Sequence, residues 1–274
     1  MFISKLKNDK YYTPIELANY CWDKTFEIIG EENISEIIEP SCGDGSFLHH
    51  KKHIPHFAYD IEPECENKCN GVTNVIKSDY LETNIKYLWG RLIIGNPPYG
   101  RCLSLAQKFY KKSVDLCDYI AFILPISQFN NSNFLYEFDL IYSEDLGTRH
   151  FSDRDLHCCF NIYARPLNGE LNSKPQTKLN DITIYRQDSK KYNNSEYDLR
   201  MCYWGDGTAG KILKENEHYS AEYKIKIQNV QLKNKIINVL STFDWKNYIK
   251  GIAMRKIQQH HIIEVLKNEI PEIK

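Results

Sequence analysis

Asn96-Pro97-Pro98-Tyr99-Gly100 follows directly on an apolar run, RLIIG at 91–95. Two consecutive prolines cannot extend a strand ladder and remove two N–H donors, so the turn is stiff and its carbonyls keep fixed directions. A planar ring amine is a poor nucleophile because its lone pair is delocalised into the ring. The Asn96 side-chain oxygen and the Pro97 carbonyl can both accept from such an NH2 group, favouring a pyramidal, more nucleophilic nitrogen. Tyr99 can stack on the ring that carries the amine. A chance turn would mean little. This one ends a strand and lies about 55 residues beyond a Gly-rich turn.

That earlier turn is Glu39-Pro40-Ser41-Cys42-Gly43-Asp44-Gly45-Ser46-Phe47. Small residues and glycines let the backbone pass close to a ligand, and a following helix start offers free N–H groups. Asp60 ends the next apolar run, with Ile61 and Glu62 behind it. An acid in that place accepts from both ribose hydroxyls in nucleotide-binding α/β folds. Asp79 and Tyr80 end a third run, where an acid and an aromatic can bracket an adenine ring. Each of these also suits a strand-end cap or a turn. His49, His50, His53 and His56, near Cys65 and Cys69, are metal-ligand types, but no tetrahedral spacing emerges and no metal is expected.

The elements that must position these residues alternate. Helical spacing predicts a helix over 15–29, a buried strand over 34–40 and a helix over 46–53. Strands follow at 57–62, 72–80 and 91–100, the last broken by its prolines. A helix over 103–117 and a strand over 119–125 complete the series. Alternating strands and helices predict a parallel sheet covered on both faces. Around 166–180 the composition turns polar, marking a linker or long loop. Beyond it the pattern is irregular, with helix-like stretches at 229–241 and 253–268.

The 274 residues allow one good core and a second small lobe. No apolar run approaches the ~20 residues of a membrane span, and the start lacks the apolar core of a secretory signal, so a cytoplasmic protein with no membrane partner is predicted. Nine cysteines without CxxC pairs read as reduced thiols. Residues 1–166 hold 17 Lys and Arg against 23 Asp and Glu, whereas 167–274 hold 18 against 13. The net −1 thus hides a balance of −6 and +5, and a polyanion would be met by the C-terminal part.

YYTP (11–14), EPSCGDGSF (39–47), DIEPE (60–64), SDYLE (78–82) and NPPYG (96–100) occur in this order, followed by the looser ILP (123–125) and CCFNIYARP (158–166). Through them the chain resembles the class I S-adenosylmethionine-dependent amino-methyltransferases of DNA, with gamma-type motif order. The resemblance covers roughly the first 165 residues and is most specific at NPPY and EPSCGDGSF. It implies an α/β fold: a mostly parallel, doubly wound, Rossmann-like class I methyltransferase sheet over residues 1–166. Residues 167–274 would form a small C-terminal target-recognition lobe. The implied activity is site-specific methylation of adenine N6 in duplex DNA, on a base flipped out of the helix, with S-adenosylmethionine as cofactor. A cognate restriction endonuclease is a further implied partner.

Carried over by position, Tyr12 and Thr13 would contact the methionine end of the cofactor and Glu39 would hold its amino group. Ser41 and Gly43 would line the turn, and Asp60 would bind the ribose. Ile61 would pack on the cofactor adenine, and Asp79 would bond its amine beside Tyr80. Asn96, Pro97, Pro98 and Tyr99 would hold the target base, with Asn96 also bordering the cofactor. Tyr163, or else Phe160, would pack on the flipped base. The GDG segment departs slightly from the Gly arrangement of many relatives. RNA-base and protein-glutamine methyltransferases share NPPY. The glutamine enzymes usually carry a helical domain ahead of the cofactor motif, so the early YYTP and the long segment after 165 favour DNA. A silent nucleic-acid-binding relative is the non-enzymatic alternative, and intact Asn96, Tyr99 and Asp60 oppose it.

Overall fold

The computed structural model describes residues 11–49, 53–65, 73–152, 154–176, 178–187, 195–205, 207–249 and 256–274. The chain divides into two compact units, Met1–Lys174 and Pro175–Lys274. The segment between 166 and 175 holds one Glu and one Lys, so the charge contrast noted above survives a boundary at 174.

In the first unit, five strands run parallel: β1 (Glu36–Glu39), β2 (His56–Asp60), β3 (Thr73–Lys77), β4 (Arg91–Gly95) and β5 (Tyr119–Pro125). Two long strands, β6 (Asp139–Phe151) and β7 (Arg154–Ala164), pair antiparallel, and β7 pairs antiparallel with β5. The seven-stranded order is β3-β2-β1-β4-β5-β7-β6. This is a mostly parallel, doubly wound α/β sheet, and its order reverses between β1 and β4.

Strand alternation decides which cluster each residue enters. Ile38, Ile93, Ile120, Phe122 and Leu124 pack in one apolar cluster. Their neighbours Ile37, Leu92, Ile94, Ala121 and Ile123 pack in another. Helix α1 (Ile15–Ile29) gives Leu17, Ala18, Cys21 and Trp22 to the second cluster. Helix α2 (Ser104–Val114) gives Ala106, Phe109, Tyr110 and Val114 to the first. Both faces of the sheet are therefore covered, which is why its strands read as continuous apolar runs. The α1 indole also donates to the Phe47 carbonyl at 3.0 Å, fixing the helix to the segment after the Gly-rich turn.

The helix over 15–29 and the strand over 119–125 have the predicted bounds, whereas other elements are shorter. The expected helix over 46–53 appears as a 3-10 turn, Ser46–His49, and residues 50–52 lie outside the described residues. The third strand stops at Lys77 because Asp79 caps a 3-10 turn, Tyr80–Glu82.

The second unit builds a three-stranded antiparallel sheet, β8 (Ile182–Arg186), β10 (Glu222–Ile227) and β9 (Leu199–Cys202), in that order. Tyr223, Ile225 and Ile227 alternate with Lys224 and Lys226 along β10. The apolar set joins Ile236 and Leu240 of α3 (Lys233–Thr242), Trp245 of the short α4 (Trp245–Tyr248), and Ile262, Ile263 and Leu266 of α5 (Gln259–Glu269). A buried ion pair, Arg200–Glu222 at 3.2 Å, lies within this unit. Among the described residues no helix is long and apolar enough to cross a membrane.

Candidate active site

Ligands in open α/β sheets bind outside the carboxyl ends of the strands, where the order reverses. Here that point is flanked by Glu39 at the end of β1 and by Asn96 beyond β4. A cavity of about 370 Å³ lies there, a volume suited to a small organic ligand. Tyr12, Ser41, Gly43, Asp60, Ile61, Asp79, Tyr80, Asn96 and Pro98 line it, together with Tyr11, Leu105 and Phe109. Thr13, Glu39, Pro97, Tyr99, Phe160 and Tyr163 are not on its wall.

The Gly-rich turn and the acid that ends β2 hold each other. Gly43 adopts φ +50°, and a Cβ there would meet the Tyr12 ring at 3.3 Å. Its N–H donates to Asp60 Oδ2 at 2.9 Å, while Glu62 N–H donates to Oδ1 at 2.8 Å. Each carboxylate oxygen keeps a further lone pair for a ligand. Tyr12 is tied down by its own hydroxyl, which donates to Glu64 Oε1 at 2.6 Å. Asp79, on the cavity wall, accepts from Leu81 N–H at 2.9 Å, which ties its carboxylate to the local backbone. Tyr80 is buried, its hydroxyl 3.0 Å from Ser113 Oγ and its ring stacked on Phe109 at 5.7 Å. It contributes a wall and no exposed phenol.

Glu39 is 2% exposed, and its Oε2 has no hydrogen-bond partner. Burial, reinforced by the Asp44 and Asp60 carboxylates, holds its carboxyl well above the usual range. A buried carboxylate without a partner is costly, and a cationic ligand group would relieve that cost.

The NPPYG turn is fixed from both sides. The Tyr99 carbonyl accepts from Leu105 N–H at 3.1 Å and Ala106 N–H at 3.4 Å, joining the turn to the first residues of α2. Asn96 Nδ2 donates to the Tyr11 carbonyl at 3.4 Å and to Thr13 Oγ1 at 3.2 Å. A carbonyl only accepts, so the amide nitrogen points toward the 11–13 segment and Oδ1 is left for another donor. Tyr99 is half-buried, with its ring 6.2 Å from that of Tyr11 and 29° from parallel. Burial first, and then Cys158, whose Sγ lies 3.7 Å from its hydroxyl, pushes that phenol up.

Phe160 and Tyr163 are placed elsewhere than the resemblance implies. Both are fully buried, in the two different apolar clusters. Their odd spacing on β7 sends them to opposite faces, and both faces are covered. Tyr163 accepts from Asn161 Nδ2 at 2.9 Å and packs edge-on to Tyr110 at 5.2 Å. They are core residues. Conversely, Leu105 and Phe109 on the cavity wall were not singled out from sequence, although their i, i+4 spacing just after NPPYG signals an apolar helix face toward the turn. Among the described residues no three His, Cys, Asp or Glu side chains converge on a metal position. His50 and Cys69 lie outside the described residues.

No protein-family model matches the chain, and no curated protein matches it in sequence. Solved structures with a similar fold include a protein assigned as an RNA methyltransferase from Pyrococcus horikoshii. It is 14% identical with TM-score 0.48, over 58% of this chain and 88% of that one. A protein assigned as a class I S-adenosylmethionine-dependent methyltransferase from Listeria monocytogenes is 12% identical with TM-score 0.45, over 60% of this chain and 63% of that one. Magnesium protoporphyrin IX methyltransferase from Synechocystis PCC 6803, with bound S-adenosylmethionine, is 12% identical with TM-score 0.42, over 54% and 79%. At these identities and scores, no substrate or cofactor carries over from them to this chain.

Proposed function

We propose that the chain is an S-adenosylmethionine-dependent methyltransferase acting on the exocyclic N6 of adenine in DNA. The observation that carries this reading is Asn96. Its amide nitrogen is held by two internal acceptors at the carboxyl end of β4, and its oxygen is turned to receive an amine.

The residues present fit the cofactor. The partnerless oxygen of buried Glu39 matches a cationic amino group, and Asp60 keeps lone pairs for two ribose hydroxyls. Gly43 leaves room for close backbone approach beside Tyr12, Ile61 offers an exposed apolar face, and Asp79 a fixed acceptor. Bound there, the cofactor supplies a sulfonium methyl open to in-line attack.

The protein's own work is positioning. Asn96 Oδ1 and the Pro97 carbonyl accept from the amine and favour its pyramidal form. Tyr99 stacks on the base, whose extraction from a duplex costs a few kcal/mol, recovered by stacking and edge bonds. The proton lost from nitrogen leaves to water or a nearby acceptor, and no covalent intermediate is needed. The second unit, net positive, is the proposed partner of the DNA phosphates.

Incubation with cofactor labelled in the methyl group tests this. Label should appear as N6-methyladenine in duplex DNA and be absent from bulk RNA and from protein glutamine. DNA binding should weaken steeply with salt. Label in RNA or in glutamine instead would transfer the assignment to those substrates.

A further inference from the structure

Asparagine carries an acceptor and a donor on two ends of nearly equal shape, and a half-turn of the amide exchanges them. Only the oxygen-forward state can receive a substrate amine; the nitrogen-forward state sets donor against donor. Something must therefore fix the Asn96 amide. Two groups do so, and both come from the segment ahead of α1. The Tyr11 carbonyl, an acceptor only, decides which end is turned inward. It is the longer contact at 3.4 Å, and Thr13 Oγ1 is closer at 3.2 Å. Thr13 is 6% exposed and does not border the cavity, and its Oγ1 accepts from Asn96.

We infer that Thr13 is a positioning residue: its hydroxyl holds the plane of the Asn96 amide so that Oδ1 meets the substrate amine. The inference rests on the reading of Asn96 given above. It differs from the cofactor contact that the resemblance assigns to Thr13, and the affinity measurement below separates the two. With the hydroxyl gone, one longer bond is left to restrain the amide, and the oxygen spends less of its time aimed at the amine. Cofactor binding, which runs through other side chains, is untouched.

The test uses Thr13→Val, which keeps the shape and removes the hydroxyl, beside Thr13→Ser, which keeps the hydroxyl. Thr13→Val should lower kcat about tenfold, with cofactor affinity within about threefold of the parent. Thr13→Ser should retain most of the turnover. A readout independent of activity is the side-chain NH2 signal of Asn96 in protein labelled with 15N asparagine, assigned by its loss in Asn96→Ala. That signal should shift in Thr13→Val and stay in place in Thr13→Ser. Should Thr13→Val not fold, Thr13→Ala read against Thr13→Ser gives the same contrast. An unmoved NH2 signal in the valine variant overturns the inference. So does an equal loss of turnover in both variants, or a loss of cofactor affinity as large as the loss of turnover. If the parent protein methylates no DNA adenine, the proposed function falls, and the NH2 signal still decides the role of Thr13.

Discussion

The carboxyl ends of β1 and β4 are neighbours in the sheet, yet they treat their polar groups in opposite ways. Beyond β4, Asn96 has its nitrogen satisfied by Tyr11 and Thr13. At the end of β1, Glu39 is buried as deeply as a core leucine and one of its oxygens has no partner. The first arrangement fixes a direction before any ligand arrives. The second stores an unmet electrostatic need that a ligand can meet. In the proposed reading, chemistry that depends on aim is thus separated from binding that depends on charge, although a Cβ on Gly95 would already touch Glu39 Cγ at 3.5 Å.

The sharpest way to break this contrast is Asn96→Ala. Turnover should fall by orders of magnitude while cofactor and DNA affinities stay within a few fold, the pattern of a contact made in the transition state. Single-turnover rates beside binding titrations decide it; a variant that methylates near the parent rate makes the turn merely structural. Next in size, Asp60→Ala should weaken cofactor binding tenfold or more, since charge-assisted bonds contribute ~1.5–3 kcal/mol each. Calorimetric titration with unchanged affinity would remove the ribose assignment.

Glu39→Gln tests the other pole. A carboxyl raised above its ordinary value of 4.5 keeps its proton in the folded chain where the unfolded chain has lost it. Its contribution to stability is therefore fully present below the ordinary value and is lost as pH climbs toward the raised one. The Gln variant carries no such term, so its melting temperature should gain on the parent's as pH rises above that ordinary value. Over the same range parent cofactor affinity should rise relative to the variant, because the cofactor amine prefers the carboxylate. Parallel curves for both proteins would show that Glu39 does not titrate as described. The smallest effect belongs to Tyr163→Phe, which removes the bond from Asn161 and should cost ~1 kcal/mol by denaturant unfolding. Turnover should not change; a collapse would return Tyr163 to the site.

How much of this was legible depended on what each residue faces. The strands of the first unit announce themselves because both sheet faces are covered, so Ile37 and Ile38, or Leu92 and Ile93, are apolar in succession. The same coverage conceals the fate of β7. A one-dimensional pattern does not say that Phe160 and Tyr163 are enclosed, one on each face, and a motif match there points to the wrong depth. NPPYG was readable because two prolines restrict the backbone locally. The partner that fixes Asn96 was not, since Thr13 and Asn96 meet only through the fold. In the second unit, alternation along EYKIKI is clear in retrospect. Its partners β8 and β9 are short and separated by polar segments, which hid the sheet.

The Tyr99 carbonyl, capping the first turn of α2, makes the NPPYG turn and that helix a single cooperative element. The amide protons of Leu105 and Ala106 can exchange with solvent only when this junction opens, so their exchange rates report how often the turn loses its shape. Grafting the five residues of the turn onto another strand would leave behind the clamp that gives it its geometry.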